Sequence, residues 1–213
     1  MESVLERSYS KPKVARKAIK TNGAPRAYKW TVDEYYKLGE LGLFDGKRVQ
    51  LINGEIIEMS PMKSPHATSV RLVYEILRGI FAKGYEIRMQ LPMSFSKMDE
   101  PEPDVAVVDG SILDYAEGHP KTARLLVEVS DSSLRLDRTR KRDLYAENGV
   151  QEYWILNLKQ RCLEVHRHPV NDVNVGFTYT KTFVVEENDF VAPLAMQKSK
   201  VKVLDMLPPP VLS

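Results

Sequence analysis

The chain has 213 residues, of which 43% are hydrophobic and 28% are charged, and its formal charge is only +2. This length suits one folded domain with an extension, and this composition excludes a wholly disordered, collagen-like or disulfide-stapled chain. No apolar run approaches the roughly 18 residues of a membrane span, and the single cysteine, Cys162, cannot form an intrachain disulfide. We therefore expect a cytoplasmic protein without a membrane partner.

The charge is unevenly distributed along the chain. Residues 1–30 carry eight Lys or Arg and two Glu (+6), whereas the remainder carries 23 cations and 27 acids (−4). A basic arm, residues 1–27, should therefore precede a mildly acidic body. The arm is either a nucleic-acid contact, because cations at phosphates release counterions, or a solvated leader. The cations that would bind nucleic acid are Lys11, Lys13, Arg16, Lys17 and Lys20.

A short helix and a hairpin are the first predicted elements. Thr31 and Glu34 form a capping-box pattern, so a helix should follow and end by Gly42. Asn53-Gly54 lies between two β-prone runs, and this dipeptide is the strongest short hairpin signal. The two strands are expected at Arg48–Ile52 and Glu55–Met59.

The longest helix is predicted directly after this hairpin. Ser64 suits an N-cap and Pro65 suits the first helical position, and the helical pattern continues to Gly84. Apolar residues at helical spacing should cover one face of a sheet. These residues are Val70, Val73, Leu77, Ile80 and Phe81.

Apolar runs in the rest of the chain predict the sheet itself. Strands are expected at Tyr85–Leu91, Met93–Phe95, Asp104–Val108, Leu125–Val129, Gln151–Leu158 and Arg161–His168, with weaker alternation from Phe177 to Leu207. A helix at Leu136–Asn148 should end at Gly149 in the left-handed conformation. The predicted fold class is α/β, a mixed central sheet flanked by helices with additional hairpins. The folded domain should span residues 28–207, followed by a short tail, 208–213.

Two carboxylates lie where the building of a core does not explain them. Asp104 opens an apolar run, and Glu128 interrupts another. Strand alternation places Glu128 on the same face as Leu126 and Ser130. Burial of an unpaired carboxylate is costly, so Glu128 needs a cation, a metal or a site open to water.

Lys141 is the third ionisable residue of this group. It shares one face of its predicted helix, within about 100° of arc, with Asp137, Leu144 and Tyr145. The apolar residues of that face should pack against the sheet and bring the amine toward the carboxylates. Two carboxylates and an amine suit metal-assisted phosphodiester hydrolysis with Mg²⁺ or Mn²⁺. A purely structural interpretation is equally open. In that case Asp104 caps a turn, Glu128 pairs with a nearby arginine, and Lys141 extends its ammonium to solvent.

Six motifs follow one another along the chain. They are Leu51–Ile56, Ser60-Pro61 with His66, Pro103–Val108, Leu126–Ser130, Asp137 with Lys141 and Tyr145, and Gly149–Ile155. In this order they resemble the Uma-two family of restriction endonucleases, within the PD-(D/E)XK nuclease superfamily, from about Trp30 to His168. The resemblance implies a restriction-endonuclease-like core that cuts DNA with Mg²⁺ or Mn²⁺, and it implies Asp104 and Glu128 as the metal ligands.

The resemblance also implies roles for the residues around this pair. The superfamily lysine usually follows the acidic strand residue by two positions, which here is Ser130, so Lys141 is the candidate catalytic lysine. Family members often carry Glu where this chain has Gln50, a weaker metal ligand, and the alternative function is therefore a catalytically weak nucleic-acid-binding module. The secondary candidates are Gln50, His66, Ser130, Asp137 and Tyr145. Because a duplex cutter usually needs two active sites, a symmetric homodimer is expected.

Overall fold

The computed structural model describes residues 25–210. The cations predicted to bind nucleic acid lie outside this range; they are Lys11, Lys13, Arg16, Lys17 and Lys20. The α-helices are α1 (Val32–Glu40), α2 (Ser64–Ile80), α3 (Leu134–Leu136) and α4 (Arg142–Glu147). The first five strands are β1 (Val49–Ile52), β2 (Glu55–Glu58), β3 (Tyr85–Met89), β4 (Val105–Asp109) and β5 (Leu125–Ser130). The others are β6 (Glu152–Asn157), β7 (Cys162–Asp172), β8 (Gly176–Glu186), β9 (Phe190–Val191) and β10 (Val201–Lys202).

Six strands form the central sheet, in the order β3-β4-β5-β6-β7-β8. Strands β5 and β6 are parallel, and every other neighbouring pair in this sheet is antiparallel. Two small antiparallel pairs, β1 with β2 and β9 with β10, lie outside it. The predicted mixed sheet with additional hairpins is therefore confirmed.

Each face of the sheet has its own apolar core. Leu125, Val127 and Val129 of β5 pack in one cluster with Val70, Val73 and Leu77 of α2. Leu126, on the alternate face of β5, packs in the second cluster with Leu144 and Tyr145 of α4. Strand alternation and helical spacing predicted these faces correctly. The second face is the one on which Glu128 lies.

Local sequence determines the first helix and the first hairpin. Thr31 and Glu34 form the predicted capping box at the start of α1. Asn53 and Gly54 both have positive φ angles, 52° and 69°, as a type I′ turn requires. Gly54 is also needed for space, because a Cβ atom there would lie 2.8 Å from Cβ of Lys29.

The predicted helix at Leu136–Asn148 is less regular than its sequence suggests. It begins earlier, with α3, and continues through a π-helical turn at Asp137–Lys141 before α4. Gly149, with φ 72°, ends it in the left-handed conformation, as predicted. The N-cap of α2 is Lys63, one residue before the predicted Ser64.

The strand predicted at Met93–Phe95 is wrong. The backbone N–H groups of Met93 and Phe95 donate to the carbonyls of Pro101 and Asp99, and that of Ser94 donates to the carbonyl of Pro120. Pro101 has no N–H group with which to return a bond, so no regular strand ladder forms here. Among residues 25–210, no helix is long and apolar enough to cross a membrane.

Candidate active site

Glu128 and Lys141 form a buried ion pair on the second face of the sheet. Nζ of Lys141 lies 2.9 Å from Oε1 of Glu128, and the two side chains are only 5% and 4% exposed. The hydroxyl of Tyr145 donates to the same oxygen at 2.5 Å. The π-helical turn and α4 thus place an ammonium and a phenol on one carboxylate of β5.

Asp104 lies immediately before β4 and is held by three donors. The backbone N–H of Val129 donates to Oδ2 at 2.8 Å. Nε2 of His66 and the side-chain amide of Gln90 donate to Oδ1, each at 3.1 Å. His66 lies in the first turn of α2, where the sequence predicted it, so the helix start orients this carboxylate.

Gln90 is a site residue that sequence analysis missed. It follows β3 with a φ angle of 53°, a left-handed conformation that a non-glycine residue rarely adopts. This backbone conformation accompanies the contact of its amide with Asp104. Nothing in the sequence around Gln90 distinguishes it from an ordinary strand end.

The charged groups of this cluster have strongly shifted pKa values. Burial raises the pKa of Glu128 to about 8, even though Lys141 favours its ionised form. Burial also opposes the charge of Lys141, but the carboxylates of Glu128 and Asp137 raise its pKa. For Asp104, burial opposes the charge, but the hydrogen bond and charge of His66, together with Lys141 and the N–H of Val129, lower the pKa. Lys141 is therefore a cation and Asp104 an anion near neutral pH.

One cavity of 570 Å³ joins the principal candidates. Asp104, Glu128 and Lys141 all line it, although they come from separate elements. The secondary candidates Gln50 and His66 line it too, together with Gln90. The structure therefore brings together residues that are up to 91 positions apart in the chain.

Three secondary candidates lie behind the cavity wall. Ser130, Asp137 and Tyr145 are buried, and none of them is a lining residue. Asp137 does not pair with Lys141; its Oδ2 accepts from the hydroxyl of Ser133 at 2.6 Å. Burial raises the pKa of Asp137, while Lys141 and hydrogen bonds from Ser133 and Ser130 oppose this shift. These residues can support the residues that line the cavity, but they do not contact a molecule bound in it.

Gln50 is buried in β1, and its side chain already has a partner. Its Oε1 accepts from the backbone N–H of Glu102 at 3.2 Å. An amide oxygen is neutral, so at this position the chain offers a weaker ligand for a hard cation than a carboxylate would.

Asp104 and Glu128 could hold a metal ion only together with further ligands. Residues 25–210 contain no group of three or more His, Cys, Asp or Glu that could hold a metal. Asp104 and Glu128 nevertheless present carboxylates to one cavity. At phosphate-processing sites Mg²⁺ is usually held by one or two carboxylates, with water and phosphate oxygens as the other ligands.

Comparison with known proteins identifies the family of this chain. The family model Uma2, described as "Putative restriction endonuclease", matches residues 32–203, which is most of the chain. The chain belongs to the Uma2 family. The motif order identified this family correctly, and the family supports a nuclease that acts on nucleic acid.

A solved structure shows the same fold as this Uma2 protein. It is the crystal structure of a "putative nuclease belonging to DUF820" from Anabaena variabilis, with a TM-score of 0.63 and 14% sequence identity. The match covers 83% of this chain and 96% of that chain. No curated protein matches this sequence. The predicted α/β nuclease-like fold is thereby confirmed.

Proposed function

We propose that this Uma2 protein is a metal-dependent endonuclease that hydrolyses phosphodiester bonds in DNA, with Asp104 and Glu128 as ligands of Mg²⁺ or Mn²⁺. One observation carries the proposal. Both carboxylates line one cavity together with Lys141. Asp104 immediately precedes β4, Glu128 lies on β5, and Lys141 lies in the π-helical turn. A structural role alone does not require an ion pair and a second carboxylate to share an open cavity.

The charge of the cavity supports a cation requirement. Its lining residues include five acids but only three Lys or Arg. The acids are Glu58, Glu102, Asp104, Glu128 and Asp131, and the cations are Arg48, Lys63 and Lys141. Burial raises the pKa of Glu128 to about 8, so this acid adds little negative charge near neutral pH until a cation favours its ionised form. A bound divalent ion would supply the positive charge that attracts a phosphate.

The residues of the chain have separable tasks in this mechanism. Asp104 and Glu128 would hold the metal ion, which would supply an acidified water molecule and positive charge to offset that of the phosphoryl group. Lys141 presents its ammonium to the phosphate oxygens and stabilises the charge that develops there. Tyr145 fixes the Glu128 carboxylate, whereas His66 and Gln90 fix that of Asp104.

Cleavage of plasmid DNA by the full chain tests this proposal. With Mg²⁺ or Mn²⁺ the protein should nick or cut the plasmid, and chelation should stop the reaction. Glu128→Gln and Lys141→Ala should each abolish cleavage, because one removes a ligand charge and the other the ammonium. Asp109→Asn is the matched control, since Asp109 pairs with Arg124 outside the cavity. Intact activity in both site variants would refute the assignment.

A catalytically weak nucleic-acid-binding module is the second candidate, and Gln50 is the observation that favours it. If Gln50 limits metal binding, Gln50→Glu should add a charged oxygen ligand and increase the affinity for Mn²⁺ about tenfold or more. Calorimetric titration with Mn²⁺ measures this affinity, and Gln197→Glu, an exposed position outside the cavity, is the control. Absence of binding at millimolar Mn²⁺ in the unaltered protein would favour the binding module.

The homodimer also stays a proposal. It applies if both strands of a duplex are cut, which needs two active sites, whereas cleavage of one strand needs only one. Sedimentation of the full chain measures the oligomeric state directly.

A further inference from the structure

The active-site cavity has an apolar part that phosphodiester chemistry does not need. The strand β2 and the loop that follows it contribute Ile57, Met59, Pro61 and Met62 to the lining, and α3 contributes Leu136. A phosphate and a hydrated metal ion need only polar partners. The apolar part therefore points to another portion of the substrate.

Three of these apolar side chains are not core residues, whereas Ile57 packs against the second apolar cluster. Met59, Met62 and Leu136 belong to neither of the two apolar clusters that pack on the sheet. Met62 is 40% exposed at the cavity. Because exposed apolar side chains beside a polar site often mark a ligand contact, they require an explanation in terms of binding.

The burial of the carboxylates limits how a phosphate can reach them. The side chains of Asp104 and Glu128 are only 9% and 4% exposed. A phosphate must therefore enter the cavity and cannot lie across its mouth. In a paired duplex, stacking holds the backbone on the outside, whereas an unpaired nucleotide is free to follow its phosphate inward.

We propose that the cavity accepts an unstacked nucleotide next to the scissile phosphate, so that the substrate class is DNA with single-stranded or unpaired segments. This inference rests on the proposed nuclease function. The volume of 570 Å³ lies within the range of small-ligand pockets and admits a base with its sugar. The thioethers of Met59 and Met62 adapt to different shapes, so they suit any of the four bases.

Cleavage of matched substrates tests the proposal. Three labelled DNAs of the same sequence are compared with Mn²⁺: a paired duplex, a duplex with a central unpaired bubble, and the single strand. The bubble and the single strand should be cut about tenfold or more faster, because the enzyme need not unstack a paired base. Equal rates on all three DNAs would overturn the substrate class while leaving the nuclease function intact.

Variants of the apolar part connect this preference to the cavity. The double variant Met59→Ala, Met62→Ala should lose most of the preference for unpaired DNA, since the base would lose its contact surface. Leu113→Ala is the matched control, because Leu113 is 82% exposed and lies outside the cavity. A preference unchanged in the double variant would overturn the role of the apolar part.

A binding measurement separates this inference from catalysis. A bubble duplex with 2-aminopurine at the unpaired position is titrated with the full chain in Ca²⁺. Transfer of the base into the cavity should change its fluorescence, and the double methionine variant should reduce that change. Such a signal without any cleavage would refute the nuclease function but retain nucleotide capture; no signal and no cleavage would overturn both.

Discussion

Glu128 is a buried carboxylate whose charge depends on two neighbours. Lys141 and Tyr145 both contact Oε1, and burial still raises the pKa of Glu128 to about 8. A buried ion pair often contributes no net stability compared with apolar residues of similar size. At an open cavity, the pair is better explained by the chemistry that it can perform than by the stability of the fold.

His166 gives the fold a pH dependence that is separate from the active site. It lies on β7, stacks on Tyr153, and its Nδ1 is 3.1 Å from the hydroxyl of Thr182. Burial lowers its pKa to about 4, although Glu164 favours the charged form, and Arg142 and Arg138 oppose it. The unfolded chain therefore takes up a proton at a higher pH than the folded chain does.

The expected result is a loss of stability on acidification. A histidine with a lowered folded-state pKa contributes fully above its ordinary pKa of about 6.5, and this contribution decreases toward pH 4. Between about pH 7.5 and about pH 5 the free energy of unfolding should fall by about 2 kcal/mol because of His166. Urea unfolding at both pH values measures the difference. His166→Phe should remove most of this difference in the free energy of unfolding. His168→Asn, which replaces an exposed histidine, should leave the difference unchanged.

The π-helical turn is the element that carries Lys141, and besides the Lys141–Glu128 pair a second ion pair holds it to the sheet. Nε and Nη2 of Arg138 donate to the two oxygens of Glu164 on β7, at 2.8 and 2.6 Å. The hydroxyl of Tyr153 donates to the carbonyl of Asp137, the first residue of the turn. The position of the lysine thus depends on contacts between this turn and strands that follow it in the chain.

Loss of the Arg138 contact should weaken both the fold and catalysis. Arg138→Met leaves Glu164, whose side chain is 8% exposed, without its cation, so the free energy of unfolding should fall by about 1 to 3 kcal/mol. The cleavage rate at saturating DNA should fall as well, because the turn would no longer hold Lys141 firmly. Urea unfolding and single-turnover cleavage measure the two effects.

A matched surface pair is the control for this prediction. Arg124 makes a similar two-pronged contact with Asp109, but those side chains are 50% and 58% exposed. Arg124→Met should therefore change stability by only about 0 to 1 kcal/mol and leave cleavage unaffected. Equal losses in the two variants would show that the π-helical turn does not depend on its ion pair.

The same turn shows what the sequence can and cannot predict. The apolar spacing and Gly149 correctly predicted a helix in this region and its end, because these signals are local. The contact that holds the π-helical turn joins Arg138 to Glu164, 26 residues away, so no local pattern predicts this contact. Strand alternation likewise placed Glu128 correctly. The contact of Gln90 with Asp104 was missed, since it arises from backbone geometry after β3.

At the scale of the whole molecule, the acidic cavity and the basic arm have opposite charges. The cavity lining has more acids than Lys or Arg. Residues 1–24, which make up most of the basic arm, carry six Lys or Arg and two Glu. An acidic active site gains little affinity for DNA from its own surface. The arm can supply that affinity, because each cation that neutralises a phosphate releases a counterion.

Deletion of residues 1–24, which leaves every described residue in place, tests this division of tasks. DNA affinity should fall, and the slope of log K against log salt should flatten by about 0.9 for each lost phosphate contact. Fluorescence anisotropy over a range of salt concentrations measures both quantities. A second variant replaces Lys11, Lys13, Arg16, Lys17 and Lys20 by Gln, which keeps the length and removes the charge. If this variant binds DNA with unchanged affinity and salt dependence, the arm is a solvated leader and the affinity must come from the folded domain.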